Sequence, residues 1–242
     1  MCLLQFHVDQ KIFHEPSKSN ISWSSLLFFP TCIDFQVREL PDNYVGYKGN
    51  LIRERGVYRL DLFQTSEITF EPTFLPPCQA DKIFSTMQDL SFDDIHTTRS
   101  VVWFGPTDYV YGSARLAPYP TSTNEEIDRL CQTLEAHIGT NFNSCLVNLY
   151  RDEKSMVPKH ADDEKLFGED PVIASLSLGS SRRFILESKL RSNSSKHCFL
   201  LQAGDLLVMK GQTQKYWLHS VPPEKTPCGP RINLTFRNVV NF

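Results

Sequence analysis

The hydrophobic pattern divides the chain at about residue 50. Before it no period holds: Ser17-Lys18-Ser19-Asn20 is polar, and Pro41-Asp42-Asn43 and Gly46-Tyr47-Lys48-Gly49 read as loop. Residues 1–50 are therefore expected to form a partly ordered extension to a domain over 51–242. From Gly56 the pattern sharpens. Val57-Tyr58-Arg59-Leu60-Asp61-Leu62 and Ile68-Thr69-Phe70 read as short strands. After Pro76-Pro77, Ala80, Ile83, Phe84, Met87 and Leu90 recur at helical spacing and predict an amphipathic helix packed on a sheet. A second helix opens at the capping-box pattern Thr123-Asn124-Glu125-Glu126, with Thr123 as N-cap. Its stripe is Ile127, Leu130, Cys131, Leu134 and Ile138, and Gly139 ends it. Strands follow near 141–150, 172–178, 183–188, 197–202, 205–210 and 231–239, separated by Gly179, Gly204, Gly211 and Pro222-Pro223. Two helices followed by a run of short strands predict an α+β, mainly β fold: a sandwich or barrel backed by helices on one face.

Composition narrows this picture. A chain of 242 residues makes one ordinary domain or at most two small ones, and an aromatic share of 12% suits a β-rich core. The net charge of −3 argues against a protein basic throughout that coats nucleic acid or anionic membrane. Leu26-Leu27-Phe28-Phe29 stops at Pro30 and no leader pattern opens the chain, so neither membrane association nor secretion is expected. Seven scattered cysteines without a CxxC pair predict free thiols in a reducing compartment; the expected location is intracellular, nucleus and/or cytoplasm.

The candidate chemistry starts at His160-Ala161-Asp162. In extended chain His160 and Asp162 share a face, which supplies two thirds of a facial triad for non-haem Fe(II). Such a pair carries little by itself, since His7-Val8-Asp9 is a second one. His219 follows 59 residues after His160, at the end of Tyr216-Trp217-Leu218-His219, and can bring a third ligand from a distant strand. The sharpest element is Arg231-Ile232-Asn233-Leu234-Thr235-Phe236-Arg237. It alternates perfectly, placing Arg231, Asn233, Thr235 and Arg237 on one strand face. Turned inward, two arginines are costly unless anions neutralise them, and their spacing suits a small dicarboxylate. Turned outward, they would make a solvated face with salt bridges. Asn148 and Tyr150 share a face of another strand and offer further hydrogen bonds to such a ligand.

The order and spacing of Asn148-x-Tyr150, His160-x-Asp162, His219 and Arg231-x-Asn233-x-Thr235-x-Arg237 resemble the AlkB family of Fe(II)/2-oxoglutarate dioxygenases. The resemblance runs from about Arg99 to the C-terminus and is strongest to the eukaryotic homologue 2 and 3 nucleic-acid demethylase subgroup. It implies a double-stranded β-helix (jelly-roll) core over about 140–242 and a nucleotide-recognition lid over about 85–120. It implies His160, Asp162 and His219 as iron ligands, and 2-oxoglutarate and O₂ as cosubstrates. Arg231, helped by Tyr150, would hold the distal carboxylate of 2-oxoglutarate; Arg237, with Asn148, would hold the carboxylate beside the keto group; Asn233 and Thr235 would complete the pocket. The implied activity is oxidative demethylation of 1-methyladenine and 3-methylcytosine in DNA and/or RNA, by a monomer. Arg99, Tyr109 and Tyr111 are the residues expected at the substrate, Tyr111 stacking on the base, with Asp163 and Glu164 attracting a cationic ring. The stretch 180–197, with Arg182, Arg183, Lys189, Arg191 and Lys196 against Glu187, reads as a phosphate-contacting patch or as a solvated hairpin. The segment between Leu90 and Arg99 is short for the subgroup, which points to single-stranded substrates. Competing readings are an oxygenase of the same type acting on another modified RNA base or a protein side chain, and a non-catalytic jelly roll that binds nucleic acid.

Overall fold

The computed structural model describes residues 37–39, 51–60, 65–96, 98–111, 114–190 and 195–240; for 37–39, 95–96 and 111 it describes the backbone alone. The chain splits into units Met1–Asp34 and Phe35–Phe242, and everything below concerns the second. Nine strands form one sheet. They are β1 (Val37–Glu39), β2 (Gly56–Arg59), β3 (Ser66–Glu71), β4 (Asp93–His96), β5 (Arg99–Phe104), β8 (Ser144–Tyr150), β10 (Ile173–Gly179), β13 (Leu206–Gly211) and β15 (Arg231–Arg237), in the order β1-β2-β3-β13-β10-β15-β8-β5-β4. A four-stranded sheet, β12-β11-β14-β9, comprises β9 (Val157–His160), β11 (Arg182–Ser188), β12 (Lys196–Leu201) and β14 (Trp217–Val221). β6 (Tyr109–Tyr111) and β7 (Ala114–Leu116) pair with each other as a separate hairpin. The helices are α1 (Pro77–Gln88), α2 (Glu125–Ile138) and the single turn α3 (Thr213–Tyr216).

Strand alternation decides what lies between the sheets. Ile68, Phe70, Ile173, Leu207 and Met209 of the large sheet join Phe184, Leu186, Phe199, Leu201 and Trp217 of the small one in a single buried cluster. The strand run predicts such a sandwich, and the resemblance to the AlkB family implies its jelly-roll form. The opposite face of the large sheet is also covered, because α1 packs on β10 and β15. That is why Ile232, Leu234 and Phe236 are fully buried while their polar neighbours are buried too. Gly179, at the β10–β11 turn, has φ +77°, and a Cβ there would lie 2.6 Å from the Pro230 carbonyl oxygen, so no other residue fits without strain.

The helices follow their stripes. Ala80, Ile83 and Met87 bury one face of α1 after Pro77 at its start. Ile127, Leu130, Cys131 and Leu134 do the same in α2, and Gly139 closes it in the left-handed conformation. The expected N-cap is displaced by one residue. Asn124, not Thr123, accepts from the amides of Glu126 and Ile127, both at 3.1 Å. Pro120 starts a 3₁₀ turn over Thr121–Thr123, and the Thr123 hydroxyl donates back to the Pro120 carbonyl. Within 85–120, β4 and β5 belong to the large sheet, and β6–β7 stands apart from both sheets. The described cysteines, Cys78, Cys131, Cys145, Cys198 and Cys228, are free thiols; Cys2 and Cys32 lie outside the described residues, as does His7-Val8-Asp9. Among the described residues no helix is long and apolar enough to cross a membrane.

Candidate active site

Register builds the site. In the large sheet Arg231 faces Tyr150, Asn233 faces Asn148 and Thr235 faces Leu146 across the β15–β8 pair, and Ser177 faces Asn233 on the other side. A polar band therefore runs across three strands on the inner face. In the small sheet His219 of β14 faces His160 at the end of β9. Asp162 lies two residues beyond that strand, and Arg237 meets it from the large sheet. All of these except Ser177 line one cavity, together with Arg99, Ser175, Phe184 and Met209.

The ligand-bearing atoms of His160, Asp162 and His219 lie within 4.8 Å of one another. Asp162 Oδ1 is 3.4 Å from His160 Nε2 and 3.9 Å from His219 Nε2. Two ligands about 2.1 Å from an ion at right angles stand about 3 Å apart, so a metal would draw this set in only slightly. The rest of each ligand is already engaged. Asp162 Oδ2 accepts from Arg237 Nε at 3.0 Å and Nη2 at 2.6 Å, and Oδ1 is buried without a hydrogen-bond partner. His160 Nδ1 lies 2.9 Å from the Pro158 carbonyl oxygen, and Nε2 is turned to Asp162. Burial would push the Asp162 carboxyl up, but the Arg237 guanidinium beside it holds it well below the usual carboxylate range. Burial and the nearby His160 push His219 down to about 3, which keeps it a neutral, ligating imidazole. An anionic oxygen and two imidazoles meeting with an orphaned lone pair between them fit Fe(II).

The dicarboxylate end fits as well. Arg231 is fully buried, and Nη2 donates to Ser177 Oγ at 3.0 Å, but Nε and Nη1 have no hydrogen-bond partner. Its guanidinium lies 4.9 Å from the Tyr150 ring centroid. Burial lowers its pKa, as expected for a cation without a carboxylate beside it. Arg237 Nη1 is likewise buried and unpartnered. Asn233 donates to Ser175 Oγ at 2.8 Å, and Thr235 donates to Asn233 Oδ1 at 2.9 Å, so these two pack the floor between the arginines. The RxNxTxR face is turned inward, not to solvent.

The residues expected at the substrate are more scattered. Arg99 is buried on β5 and donates from Nε to Asn148 Oδ1 at 3.0 Å, inside the cavity wall. Tyr109 is 1% exposed, packed against Trp103 and Phe167, and donates to Glu164 Oε1 at 2.8 Å. Its ring belongs to a buried cluster, which leaves no open face for a base to stack on. Tyr111 ends β6, and its side chain lies outside the described residues. Glu164 Oε2 is buried without a hydrogen-bond partner, whereas Asp163 is exposed and 3.3 Å from Lys189 Nζ. The basic stretch is largely matched by acids. Arg182 is buried, bonding to the carbonyls of Asp152, Ser155 and Pro222; Arg183 pairs with Glu224, and Lys196 with Glu187. Arg191 lies outside the described residues. One residue had no signal in the sequence: Gln214 of α3 accepts from the Asp162 amide at 2.9 Å.

Residues 72–237 match the model of the 2OG-Fe(II) oxygenase superfamily. The alpha-ketoglutarate-dependent dioxygenases alkB homolog 3 of Bos taurus and Homo sapiens are each 35% identical over 208 residues, covering 78% of this chain and 72% of theirs. The chain belongs to the AlkB family. The DNA oxidative demethylase ALKBH2 of Arabidopsis thaliana is 31% identical over 226 residues, covering 75% of this chain and 69% of its own. The solved structure of OsALKBH1 superposes with a TM-score of 0.51 at 18% identity, over 71% of this chain and 97% of that one, and supports the fold. As an AlkB-family dioxygenase the protein uses Fe(II), 2-oxoglutarate and O₂, and the His160–Asp162–His219 cluster is its possible iron site.

Proposed function

We propose that the protein is an oxidative demethylase of N-alkylated bases, 1-methyladenine and 3-methylcytosine, in DNA and/or RNA. One observation carries the reading: the buried arginine face of β15 and the His-Asp-His cluster share a single cavity. The substrate class is supported by the alkB homolog 3 and DNA oxidative demethylase relatives. His160 Nε2, Asp162 Oδ1 and His219 Nε2 hold the iron. Arg231 and Tyr150 hold the distal carboxylate of 2-oxoglutarate, and Arg237 Nη1 with Asn148 holds the carboxylate beside the keto group. Iron and 2-oxoglutarate, when bound there, would supply the oxidation of an N-methyl group to N-hydroxymethyl by O₂, one oxygen atom going to the methyl carbon and the other to 2-oxoglutarate, which would leave as succinate and CO₂. The N-hydroxymethyl group then breaks its C–N bond and releases formaldehyde and the unmodified base.

The protein's own part is placement. His160 is the most open of the three ligands, its side chain 25% exposed against 1% for Asp162 and 8% for His219, so the methyl group approaches on the His160 side. A base reaches that side only when unstacked, which favours single-stranded substrate. The unpartnered oxygen of Glu164 and the charge of Asp163 meet a cationic methylated ring better than a neutral base. Tyr111 and Arg99 complete the substrate contacts. The protein acts as a monomer in the nucleus and/or cytoplasm. Formaldehyde release from oligonucleotides carrying 3-methylcytosine, with Fe(II) and 2-oxoglutarate supplied, tests the reading. His160→Ala is expected to abolish release with the fold intact; undiminished release by that variant refutes the assignment.

A further inference from the structure

We infer that Gln214 is a positioning residue for the metal centre: by accepting a hydrogen bond from the main-chain amide of Asp162, it fixes where that carboxylate points. The inference rests on the iron centre described above and not on the identity of the nucleic-acid substrate.

Asp162 needs such a fixture. β9 ends at His160, and residues 161–164 belong to no strand, so no sheet ladder sets the backbone that carries the ligand. Two contacts hold it. Arg237 grips Oδ2. Gln214 Oε1 takes the amide at 2.9 Å. Gln214 is 2% exposed, and its Nε2 donates to Met209 Sδ at 3.3 Å, so both ends of its amide are in use. Met209 lines the same cavity. α3 is short but anchored: Thr213 Oγ1 accepts from the Glu67 amide and donates to the Lys210 carbonyl.

A second tether lies one residue on. Lys189 Nζ donates to the Gln214 carbonyl at 2.8 Å and approaches Asp163 Oδ2 at 3.3 Å. The 162–163 segment is thereby bound to the turn that leads into β14, the strand carrying His219. Gln214 thus links the placement of two iron ligands that are 57 residues apart in the chain. Contacts that orient metal ligands typically change metal affinity about 10–100-fold when removed.

Mn(II) binding to the full chain, followed by the electron paramagnetic resonance signal of free Mn(II) without 2-oxoglutarate or nucleic acid, tests the inference. Gln214→Met keeps the length and the contact with Met209 but removes the acceptor. It is expected to bind Mn(II) roughly 10–100-fold more weakly. Gln214→Glu keeps an acceptor oxygen and is expected to bind at least as tightly as the wild type. A purely structural role would lower the thermal midpoint of the metal-free protein and leave Mn(II) affinity unchanged. Wild-type affinity in folded Gln214→Met, or equal weakening in Gln214→Glu, overturns the inference. Should Gln214→Met not fold, hydrogen exchange in the metal-free wild type decides: the Asp162 amide is expected to be protected, and exchange at the rate of an open loop overturns it. A chain that binds Mn(II) as expected yet releases no formaldehyde would sink the demethylase reading and leave this one standing.

Discussion

At the scale of single residues, the site is built from groups whose partners the fold withholds. Arg231 is the clearest case: a buried guanidinium with two nitrogens unbonded and no carboxylate paired to it. Such a cation costs stability in the free protein and is compensated when an anion binds. Arg231→Met is therefore expected to separate function from stability. A charge-assisted hydrogen bond contributes about 1.5–3 kcal/mol, so affinity for 2-oxoglutarate should fall roughly 10–150-fold. The metal-free protein should be as stable as the wild type or more so, by up to about 4 kcal/mol. Titration with 2-oxoglutarate in the presence of Mn(II), beside urea unfolding of the metal-free protein, checks both halves. A variant that loses stability would show that the guanidinium is already satisfied. These residues were legible because strand alternation alone puts Arg231, Asn233, Thr235 and Arg237 on one face. Gln214 was not, since its role depends on where the backbone goes after β9, and no periodicity records that. Arg182 read as a surface cation because sequence cannot show that carbonyls from residues 152, 155 and 222 converge on it.

Elements repeat the lesson at longer range. Strong apolar stripes fixed α1 and α2, but the start of α2 turned on one residue. Asn124 satisfies two amides there, so Asn124→Ala should cost about 1 kcal/mol, and Thr123→Ala, which leaves the cap intact, should cost about 0.5 kcal/mol or less. Chemical denaturation of the two variants distinguishes them. β9 escaped sequence reading because four residues containing a proline carry no pattern. β5 escaped because it is buried along its whole length and so shows no alternation. The small sheet also sets a pH response. Burial lowers His197 of β12 from 6.5 to about 4, beside Trp217 at 5.3 Å. Below pH 6.5 the unfolded chain takes up a proton that the folded chain refuses until about pH 4, so acidification through that window destabilises the fold. The loss from this group between pH 7 and 5 is about 2 kcal/mol. Urea midpoints at the two pH values should show it in the metal-free wild type, and His197→Phe should show a smaller drop by about that amount.

On the scale of the whole molecule, the cofactors fasten together parts that the backbone leaves separate. His160 and His219 belong to the small sheet, Asp162 to a loop, and Arg231 and Arg237 to the large sheet. Arg237 already bridges the large sheet to the loop through Asp162. An ion held by all three ligands adds the small sheet to that link, and a diacid held by the two arginines extends it along β15. None of these cross-links exists in the unfolded chain, so each ligand adds its full binding free energy to folding. At about 100 times its dissociation constant a ligand stabilises by about 2.7 kcal/mol. Mn(II) and 2-oxoglutarate together should raise the unfolding midpoint more than Mn(II) alone, and a chelator should return it to the metal-free value. His160→Ala breaks the link on the small-sheet side, so its midpoint should respond weakly to Mn(II), while Arg231→Met should respond to Mn(II) normally and lose the further rise from 2-oxoglutarate. Calorimetric scans of the three proteins measure this directly. If His160→Ala were stabilised by Mn(II) as strongly as the wild type, the ion would be held elsewhere and the two sheets would not be joined through it.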